Sequence, residues 1–467
     1  MRSNAARASL FSDPMRRTAR PLYRSSRQAV ADRLHIAMNM AKKASRAANS
    51  RWRWLIRVLF RRIWFRAALF SLSAVLLALL SAVIAPFIPY DMSAKIGADA
   101  VDNILGILAS SMLAVTTFSL TAMVSAVSGA SSTITPRATQ ILVADSTAQN
   151  ALSTFLGAFL FAIVGICALS TGLYGASGRV ILFAGTLLVI AIIVVTLLRW
   201  IEHLSTFGRV ASTIERIEHV TLSAIERSAC RVALHSGDPS EPDAGWTICF
   251  DGIGYIAHID VAALEAISRR RDCPIDVLVL PGTFVTPTRP ILRTHHAAKE
   301  SEAEIRAAFT VDRQRNYDHD PRLGLVVLAE IASRALSPAV NDPGTAIAVL
   351  TTSTRVMARF LKGAGDRQAD NGVGVTLPAI HVHDLLEDIY RPIARDGAGC
   401  VEVALRLQKT LGDLAALAPF ARGTLVLAGT EALARTQHAM ALEIDREHVR
   451  AAYRAWATLP SPDEGAR

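Results

Sequence analysis

The chain has 467 residues and a net charge of +10, from 50 Lys and Arg against 40 Asp and Glu. Its mean hydropathy is +0.32, a positive value that fits a chain with a sizeable membrane-embedded part. Residues 1–66 contribute more than the whole net charge, so the remainder is mildly acidic. The five cysteines are widely spaced and form no C-x-x-C pair, which argues against a disulfide or zinc framework.

Residues 1–62 are predicted to form a basic cytoplasmic arm that contacts anionic lipid headgroups. Arg53, Arg57 and Arg61 recur every four residues between apolar ones, which indicates an amphipathic helix lying in the membrane interface. Nucleic-acid binding and an organellar transit peptide are alternative interpretations of the arm. The Ala- and Arg-rich usage of the whole chain favours a bacterial origin, and we expect no nucleic-acid partner.

Four apolar stretches follow the arm, each long enough to cross roughly 30 Å of hydrocarbon as a helix. They are predicted at about 66–88, 104–128, 151–173 and 180–198. Helix is expected because every backbone polar group inside lipid must be bonded within its own segment. Residues 63–200 therefore form the predicted transmembrane domain.

Charges near the span ends predict the orientation of these helices. Basic residues crowd the arm, whereas the link after the first span carries Asp91, Asp99 and Asp102 against Lys95 alone. By the positive-inside rule, the N-terminus lies in the cytoplasm and this link lies outside. Four crossings then return residues 199–467 to the cytoplasm. We expect a multi-pass protein of the bacterial inner membrane.

The second span differs from the others because 12 of the 34 residues in 103–136 are Ser or Thr. Small and hydroxyl residues recur at steps of three and four, which places them on one helical face, the hydroxyl stripe. The stripe comprises Ser110, Ala114, Thr117, Thr121, Ser125, Ser128 and Ser132. One interpretation is close helix packing, since small residues let backbones approach. The other is a water-facing surface that lines a permeation path or a solute cavity.

The part after the spans is predicted to be an α+β cytoplasmic domain, which makes the whole chain mainly α. Residues 201–300 hold a connecting helix, continuous with the fourth span over Arg199–His235, and a small β subdomain. Its strands are expected at 247–250, 254–259, 275–280, 283–286 and 291–294, with a helix at 260–270 capped by Asp260. Residues 301–467 form a helical part, with helices expected at 301–310, 323–336, 345–361, 383–394, 398–418, 422–440 and 445–457. Ser301 is the expected cap of the first of these.

A dense polar cluster precedes the apolar helix at 323–336. It comprises Arg313, Arg315, Asp318, His319, Asp320 and Arg322. Carboxylates suit a cation and arginines suit an anion, so a ligand site is one interpretation. The other is a salt-bridge network that satisfies itself and caps the helix. Inside the helix, Glu330 and Arg334 are four residues apart and are expected to pair.

Other candidate sites have weaker patterns. His381 and His383 alternate on an expected extended segment and would share a face, as in a metal pair, yet no third ligand is evident. Asp342 is expected to cap the helix that starts at Pro343, and with Asn341 it offers an anion site as the alternative. No P-loop, dinucleotide-binding, nucleophile-elbow or H-E-x-x-H pattern occurs. We therefore expect no metal and no cofactor, and catalysis is disfavoured.

The segment from 324 to 346 resembles the signature of a bacterial membrane-protein family, domain of unknown function 2254. Its motif residues are Gly324, Arg334, Ser337, Pro338, Asn341, Asp342 and Pro343. The second span closing on Thr135-Pro136-Arg137, the segment Gly254–Asp260 and the turn Pro281–Val285 are similar to the same family. The resemblance covers about 60–440 and implies an inner-membrane protein with four N-terminal spans. It implies no activity and brings no active-site residues.

Two functions from different classes are compatible with these patterns. The first is an oligomeric channel or transport protein whose hydroxyl stripe lines the path and whose cytoplasmic domain regulates it. A lack of charges inside the spans argues against a proton-coupled carrier. Four spans make a thin wall, so this function requires a homo-oligomer. The alternative is a membrane-anchored sensor or scaffold, in which the cytoplasmic domain binds a ligand or a protein partner.

Overall fold

A computed structural model describes residues 98–143, 145–171, 176–227, 232–233, 245–294, 299–366 and 374–458, with isolated positions between 65 and 76. The basic arm, its amphipathic helix and most of the first predicted span lie outside the described residues. Phe65, Ala68, Leu69, Leu72 and Leu76 are described there and are helical. The chain is mainly helical with a small sheet region, as predicted.

The first long helices belong to the apolar part of the chain. They are α1 (Ala98–Thr133), the short α2 (Pro136–Val143), α3 (Ser146–Ser170) and α4 (Ala176–Thr206). Among the described residues, three segments are long and apolar enough to cross a membrane: Ala100–Ser131, Ser146–Ser170 and Val180–Thr206. These coincide with three of the four predicted spans. α1 and α3 pack tightly, and Gly165 lets Leu105 approach to 3.1 Å of the position that a Cβ would take.

The connecting helix is not continuous with the last span, so the prediction of one helix over Arg199–His235 is wrong. α4 ends at Thr206 and α5 runs over Val210–Arg227. Between them Gly208 has a φ of +80°, a left-handed conformation that favours glycine and ends the α4 helix. The helical period of the sequence continues through this break, which is why periodicity does not reveal it.

The β subdomain follows, and its elements are short. They are β1 (Val232–Ala233), β2 (Trp246–Cys249), β3 (Gly254–Ile259), α6 (Val261–Arg271), β4 (Ile275–Val277), β5 (Phe284–Val285), β6 (Pro290–Thr294), α7 (Lys299–Arg306) and β7 (Phe309–Asp312). Asp260 caps α6 as predicted, accepting from the N–H of Ala263 at 3.0 Å. The helix expected at 301–310 instead begins at Lys299 and ends at Arg306, so Ser301 is not its cap. Phe309 is buried beside β3, and Thr310 pairs with His258 of that strand, so Thr310 belongs to β7 and not to the helix.

The described strands form three small sheets. Two more come from beyond the subdomain, β8 (Val375–Thr376) and β9 (Ile380–His381). The sheet orders are β2-β6-β4-β8, β5-β3-β7 and the parallel pair β1-β9. Inward-facing residues such as Ile256, Leu264 and Leu292 build a core under these sheets.

The helical part comprises α8 (Leu323–Ala335), α9 (Pro343–Asp366), α10 (Val382–Asp396), α11 (Val401–Leu417), α12 (Arg422–Ala439) and α13 (Glu443–Ala457). The last four lie within a few residues of the predicted positions, because each has an apolar face at helical spacing. Their core is continuous with that of the apolar helices. Trp200 of α4, Ile217 of α5, Leu328 of α8 and Leu411 of α11 belong to one buried cluster.

Candidate functional site

Within the described residues, the hydroxyl stripe lies on a face of α1 that no other helix covers. Ser110, Thr117, Thr121, Ser125 and Ser128 are all exposed within the described part of the chain, as is Ala114, whereas Leu105, Met112 and Met123 on the opposite side are buried. Ser132 belongs to the same helix, but its side chain lies outside the described part. The stripe therefore faces away from the neighbouring helix α3.

The hydroxyls of the stripe bond to their own helix. Thr117 Oγ1 donates to the carbonyl of Leu113 at 3.0 Å, and Thr121 Oγ1 donates to that of Thr117 at 2.9 Å. Ser110 Oγ lies 3.1 Å from the carbonyl of Gly106. Such bonds satisfy the donor and leave oxygen lone pairs facing outward. Large exposed apolar residues border the stripe on both sides: Ile107, Leu113, Phe118, Leu120 and Val124.

The polar cluster forms a second candidate region, the hub segment 313–322. At its centre the Asp320 side chain is 3 % exposed and receives a two-pronged bond from Arg315, at 2.6 and 3.0 Å. Asp320 also accepts from the backbone N–H groups of Arg322 at 3.1 Å and Leu323 at 3.2 Å. Its carboxylate thus covers the first N–H groups of α8, where negative charge is favourable.

The turn between β4 and β5 packs directly against the Asp320 carboxylate. Gly282 has a φ of +89°, and a Cβ at this position would lie 2.2 Å from Asp320 Oδ2. Only glycine permits both the backbone conformation and the approach. The Pro281-Gly282 turn and the hub segment, both noted in the sequence, therefore meet in space.

Arg322 ties the hub segment to α10. Its guanidinium donates to Asp388 at 2.6 and 3.0 Å and to Asp384 at 3.2 Å. Burial lowers the pKa of Arg322, but the bond to Asp388 and the nearby carboxylates more than offset this and leave the pKa above its ordinary value. Arg322 is thus a permanently charged link between the two elements.

Further contacts join the hub segment to α2, the short helix between α1 and α3. The Tyr317 hydroxyl donates to the carbonyl of Arg137 in α2 at 3.2 Å, and burial raises the pKa of Tyr317 well above its ordinary value. Gln140 donates to Gln314 at 3.0 Å. Arg137 also pairs with Glu330 of α8. Arg137 and Glu330 are 193 residues apart, so an argument from spacing within one helix could not predict this pair.

The remaining members of the cluster complete this meeting point. Arg227 at the end of α5 donates to the carbonyl of Asp318 at 3.2 Å. The rings of His319 and of His258 on β3 have centroids 4.6 Å apart. Arg313 is exposed at the surface. Segment 313–322 therefore contacts α2, α5, α10 and the β subdomain. No single sequence motif predicts that these four elements meet there.

The family-motif residues form the turn between α8 and α9. Ser337 Oγ donates to the carbonyl of Arg334 at 2.7 Å, and Asn341 has a left-handed φ of +49°. Asp342 caps α9 as predicted, accepting from the N–H of Thr345 at 3.0 Å and from its hydroxyl at 2.6 Å. These two bonds lower the pKa of Asp342. Pro338, Pro343 and their neighbours form a largely exposed turn.

The two histidines do not lie on one strand. His381 ends β9 and α10 begins at Val382, so His381 and His383 are not two apart on one strand. Among the described residues, no group of three His, Cys, Asp or Glu side chains is placed to hold a metal ion. His383 instead borders a cleft of about 100 Å³ between α10 and α12. Its rim carries two acidic and two basic side chains, which form ion pairs and leave no net charge: Glu387, Arg391, Glu431 and Arg435.

Sequence reasoning missed a charged group where α3, α4 and α5 meet. Asp145, before α3, contacts both His203 of α4 and Arg216 of α5. A lone acid before Ser146-Thr147 at a helix start was a signal for a cap, and Asp145 does cap α3, accepting from Ala148 at 2.8 Å. Nothing local indicated its two distant partners.

Comparison with known proteins agrees with the apolar helices. A family described as "Predicted membrane protein (DUF2254)" matches residues 61–413, about three quarters of the chain. No curated protein and no solved structure shows detectable similarity to the chain. With apolar helices of spanning length and a family match over most of its residues, the chain belongs to the DUF2254 family of predicted membrane proteins.

Proposed function

We propose that this protein is an oligomeric channel or transport protein of a bacterial inner membrane, regulated by its cytoplasmic domain. The observation that carries the proposal is the uncovered hydroxyl stripe on α1. From Ser110 to Ser128 the stripe rises about 27 Å at 1.5 Å per residue, close to the thickness of the hydrocarbon core. Identical helices from several subunits would place these hydroxyls around a common path.

The borders of the stripe support this arrangement. Leu113 and Leu120 lie on one side and Phe118 on the other, each more than half exposed in the described chain. In a ring of helices, a lumen-facing stripe is flanked by residues that contact the neighbouring helices. The absence of Asp, Glu, Lys and Arg between 103 and 136 points to a path lined by neutral hydroxyls. Such a lining favours neutral solutes or hydrated ions over proton-coupled transport.

The proposed orientation rests on charge. The end of α1, the start of α3 and the end of α4 meet the helical part at one end of the apolar helices. Arg137, Arg199 and Arg209 lie at this end, whereas Asp99 and Asp102 lie at the start of α1. The positive-inside rule assigns the arginine-rich end to the cytoplasm. Anionic headgroups are then the expected neighbours of the basic arm.

The regulatory role rests on the continuity of the structure. The buried cluster that includes Trp200 of α4 extends into α8 and α11 without interruption. The hub segment 313–322 adds polar contacts between α2, α10 and the β subdomain. A ligand or partner that shifts the helical part would therefore act on the apolar helices directly.

Flux and single-channel recording in liposomes test the proposal, with Thr121→Trp as the probe. We expect this variant to block flux while the oligomer, measured by light scattering in detergent, keeps its mass. Val194→Trp is the matched control, because Val194 is an exposed apolar residue of α4 outside the stripe. It should leave flux unchanged.

Two outcomes would contradict the proposal. If Thr121→Trp dissociates the oligomer, the stripe is a packing face and not a path lining. If the wild-type protein is folded and assembled but conducts nothing, the sensor or scaffold function becomes the better interpretation. Ligand screening of the full chain would then follow.

A further inference from the structure

The break between α4 and α5 is an elbow at the inner end of the apolar helices. The Phe207 N–H bonds back to His203 at 3.0 Å, and α5 starts with the Thr213 N–H on the carbonyl of Arg209 at 3.0 Å. Gly208 between them has a φ of +80°. A backbone turn of this kind lets two helices change their relative angle with few dihedral changes.

The elbow touches the helix that carries the hydroxyl stripe. A Cβ on Gly208 would lie 3.2 Å from the carbonyl oxygen and 3.6 Å from the Cβ of Ala126 in α1. Ala126 lies between Ser125 and Ser128 in sequence but on the packed face of α1, so the contact is level with the last residues of the stripe and behind them. Movement of the elbow therefore acts on α1 through this contact.

The Asp145 carboxylate contacts both helices of the elbow, α4 and α5. Asp145 Oδ1 lies 2.9 Å from His203 Nε2 of α4, and Asp145 Oδ2 accepts from Arg216 of α5. The side chains of Asp145 and His203 are 11 and 13 % exposed, and that of Arg216 is 22 % exposed. The Arg216 guanidinium also lies 5.5 Å from the centre of the Phe207 ring. Because this group is largely screened from water, losing one partner leaves a poorly compensated charge.

The other end of α5 is fixed to the helical part. Thr221 lies against Gly324 of α8 so closely that a Cβ there would be 1.7 Å from Thr221 Oγ1. Glu218 accepts two bonds from Arg355 of α9, at 2.6 and 2.5 Å. α5 therefore moves with α8 and α9 as one body.

We propose that Asp145, His203 and Arg216 form a lock on the elbow, through which the position of the cytoplasmic helices is transmitted to α1. With the lock closed, α5 is held at a fixed angle to α4, and Ala126 is held against Gly208. With the lock open, α5 and the helices attached to it turn about Gly208 and release α1. The effect on flux rests on the proposed function, whereas the lock itself does not.

Hydrogen exchange of the full chain in lipid nanodiscs tests the lock. Asp145→Asn keeps an oxygen to cap α3 but removes the charge, and Arg216→Gln removes the partner without touching the cap. In each variant we expect amide exchange in residues 203–216 to become about tenfold faster. The effect of the double variant should be smaller than the sum of the two single effects, because both variants remove the Asp145–Arg216 pair.

Glu226→Gln is the control, since it removes an exposed charge from the far end of the same helix, where Glu226 pairs with the exposed Arg359 at 3.3 Å. It should leave exchange in residues 203–216 unchanged. Unchanged exchange in both lock variants, or a double variant whose effects simply add, would overturn the lock.

Flux measurements on the same variants test whether opening of the lock affects α1. Faster exchange together with an altered open fraction supports transmission to α1. Faster exchange with wild-type flux would overturn transmission. A wild-type protein that conducts nothing contradicts the proposed function, and the exchange results then decide the lock alone.

Discussion

At the residue scale, single positions set how closely helices approach. A Cβ at position 324 would lie 1.7 Å from Thr221 Oγ1 and 2.8 Å from Thr221 Cβ. We expect Gly324→Ala to destabilise the protein by about 2 kcal/mol, the usual scale of overpacking in a close contact. Thermal unfolding in detergent measures this effect.

Gly423→Ala is the matched control for that change. Nothing lies within 4 Å of a Cβ at position 423 in α12, so alanine should be neutral or slightly stabilising there. Equal unfolding temperatures for the two variants would contradict the close contact between α5 and α8.

The Asp320 carboxylate is the most demanding position in the hub segment. Asp320→Asn should cost about 3 kcal/mol, because it leaves the half-buried Arg315 guanidinium without its counter-ion. Chemical unfolding of the full chain checks this prediction. Arg395→Gln removes an exposed pair with Asp396 and should cost under about 1 kcal/mol. A similar small loss for Asp320→Asn would show that the pair is not structural.

Asp342 gives the cap of α9 a pH dependence. Its pKa is lowered in the folded protein, so its stabilisation is complete above its unfolded pKa of about 3.9 and is lost as the pH falls through the lower folded value. Asp342→Ala should cost about 1 kcal/mol at pH 7 and less than this below pH of about 4. Asp342→Asn, an uncharged cap, should stay close to wild type at neutral pH. A cost for alanine that is constant with pH would contradict this assignment.

At the element scale, the apolar face of each helix was readable in the sequence and the breaks were not. Helices α10 to α13 have near-predicted bounds because apolar residues recur at their helical spacing. The elbow at Gly208 escaped prediction because a lone glycine in a periodic stretch is tolerated in many helices. Strand β7 was not predicted because Thr310 follows a helical segment and its strand partner, β3, is distant in sequence.

Trp456 is one of two buried side chains by which α13 packs against the neighbouring helices. Trp456 of α13 lies so close to α11 and α12 that a Cβ on Gly412 or Gly429 would approach its ring to 2.8 or 2.6 Å. We expect Gly429→Ala to displace α13 and to speed amide exchange in residues 443–457. Gly399→Ala, with open space around its Cβ, is the control. Unchanged exchange in Gly429→Ala would show that α13 can repack.

At the scale of the whole molecule, the β subdomain has a core of its own. Leu264, Ile275 and Leu292 belong to a cluster separate from that of the helices. Leu264→Ala should therefore weaken this subdomain by about 3 kcal/mol and speed exchange in residues 245–294. Exchange in α11 should stay unchanged. A uniform change across the chain would instead indicate one cooperative unit.

The larger core has the opposite consequence. It joins α4, α5, α8 and α11, so the apolar helices and the helical part are expected to respond together. This continuity is the physical basis for proposing a regulatory role for the helical part. It could not be predicted from a sequence in which the two regions read as separate segments.

Features that depend on near neighbours along the chain could be read from the sequence. Apolar length predicted the three described helices of spanning length, helical spacing predicted the hydroxyl stripe, and cap residues predicted the starts of α6 and α9. The tertiary structure alone decided which distant side chains meet. Arg315 and Asp320 are five residues apart in sequence, yet the contact of Asp320 with Gly282 depends on how the β subdomain docks. Asp145 reaches Arg216 across 71 residues for the same reason: an ion pair needs proximity in space, which local pattern does not encode.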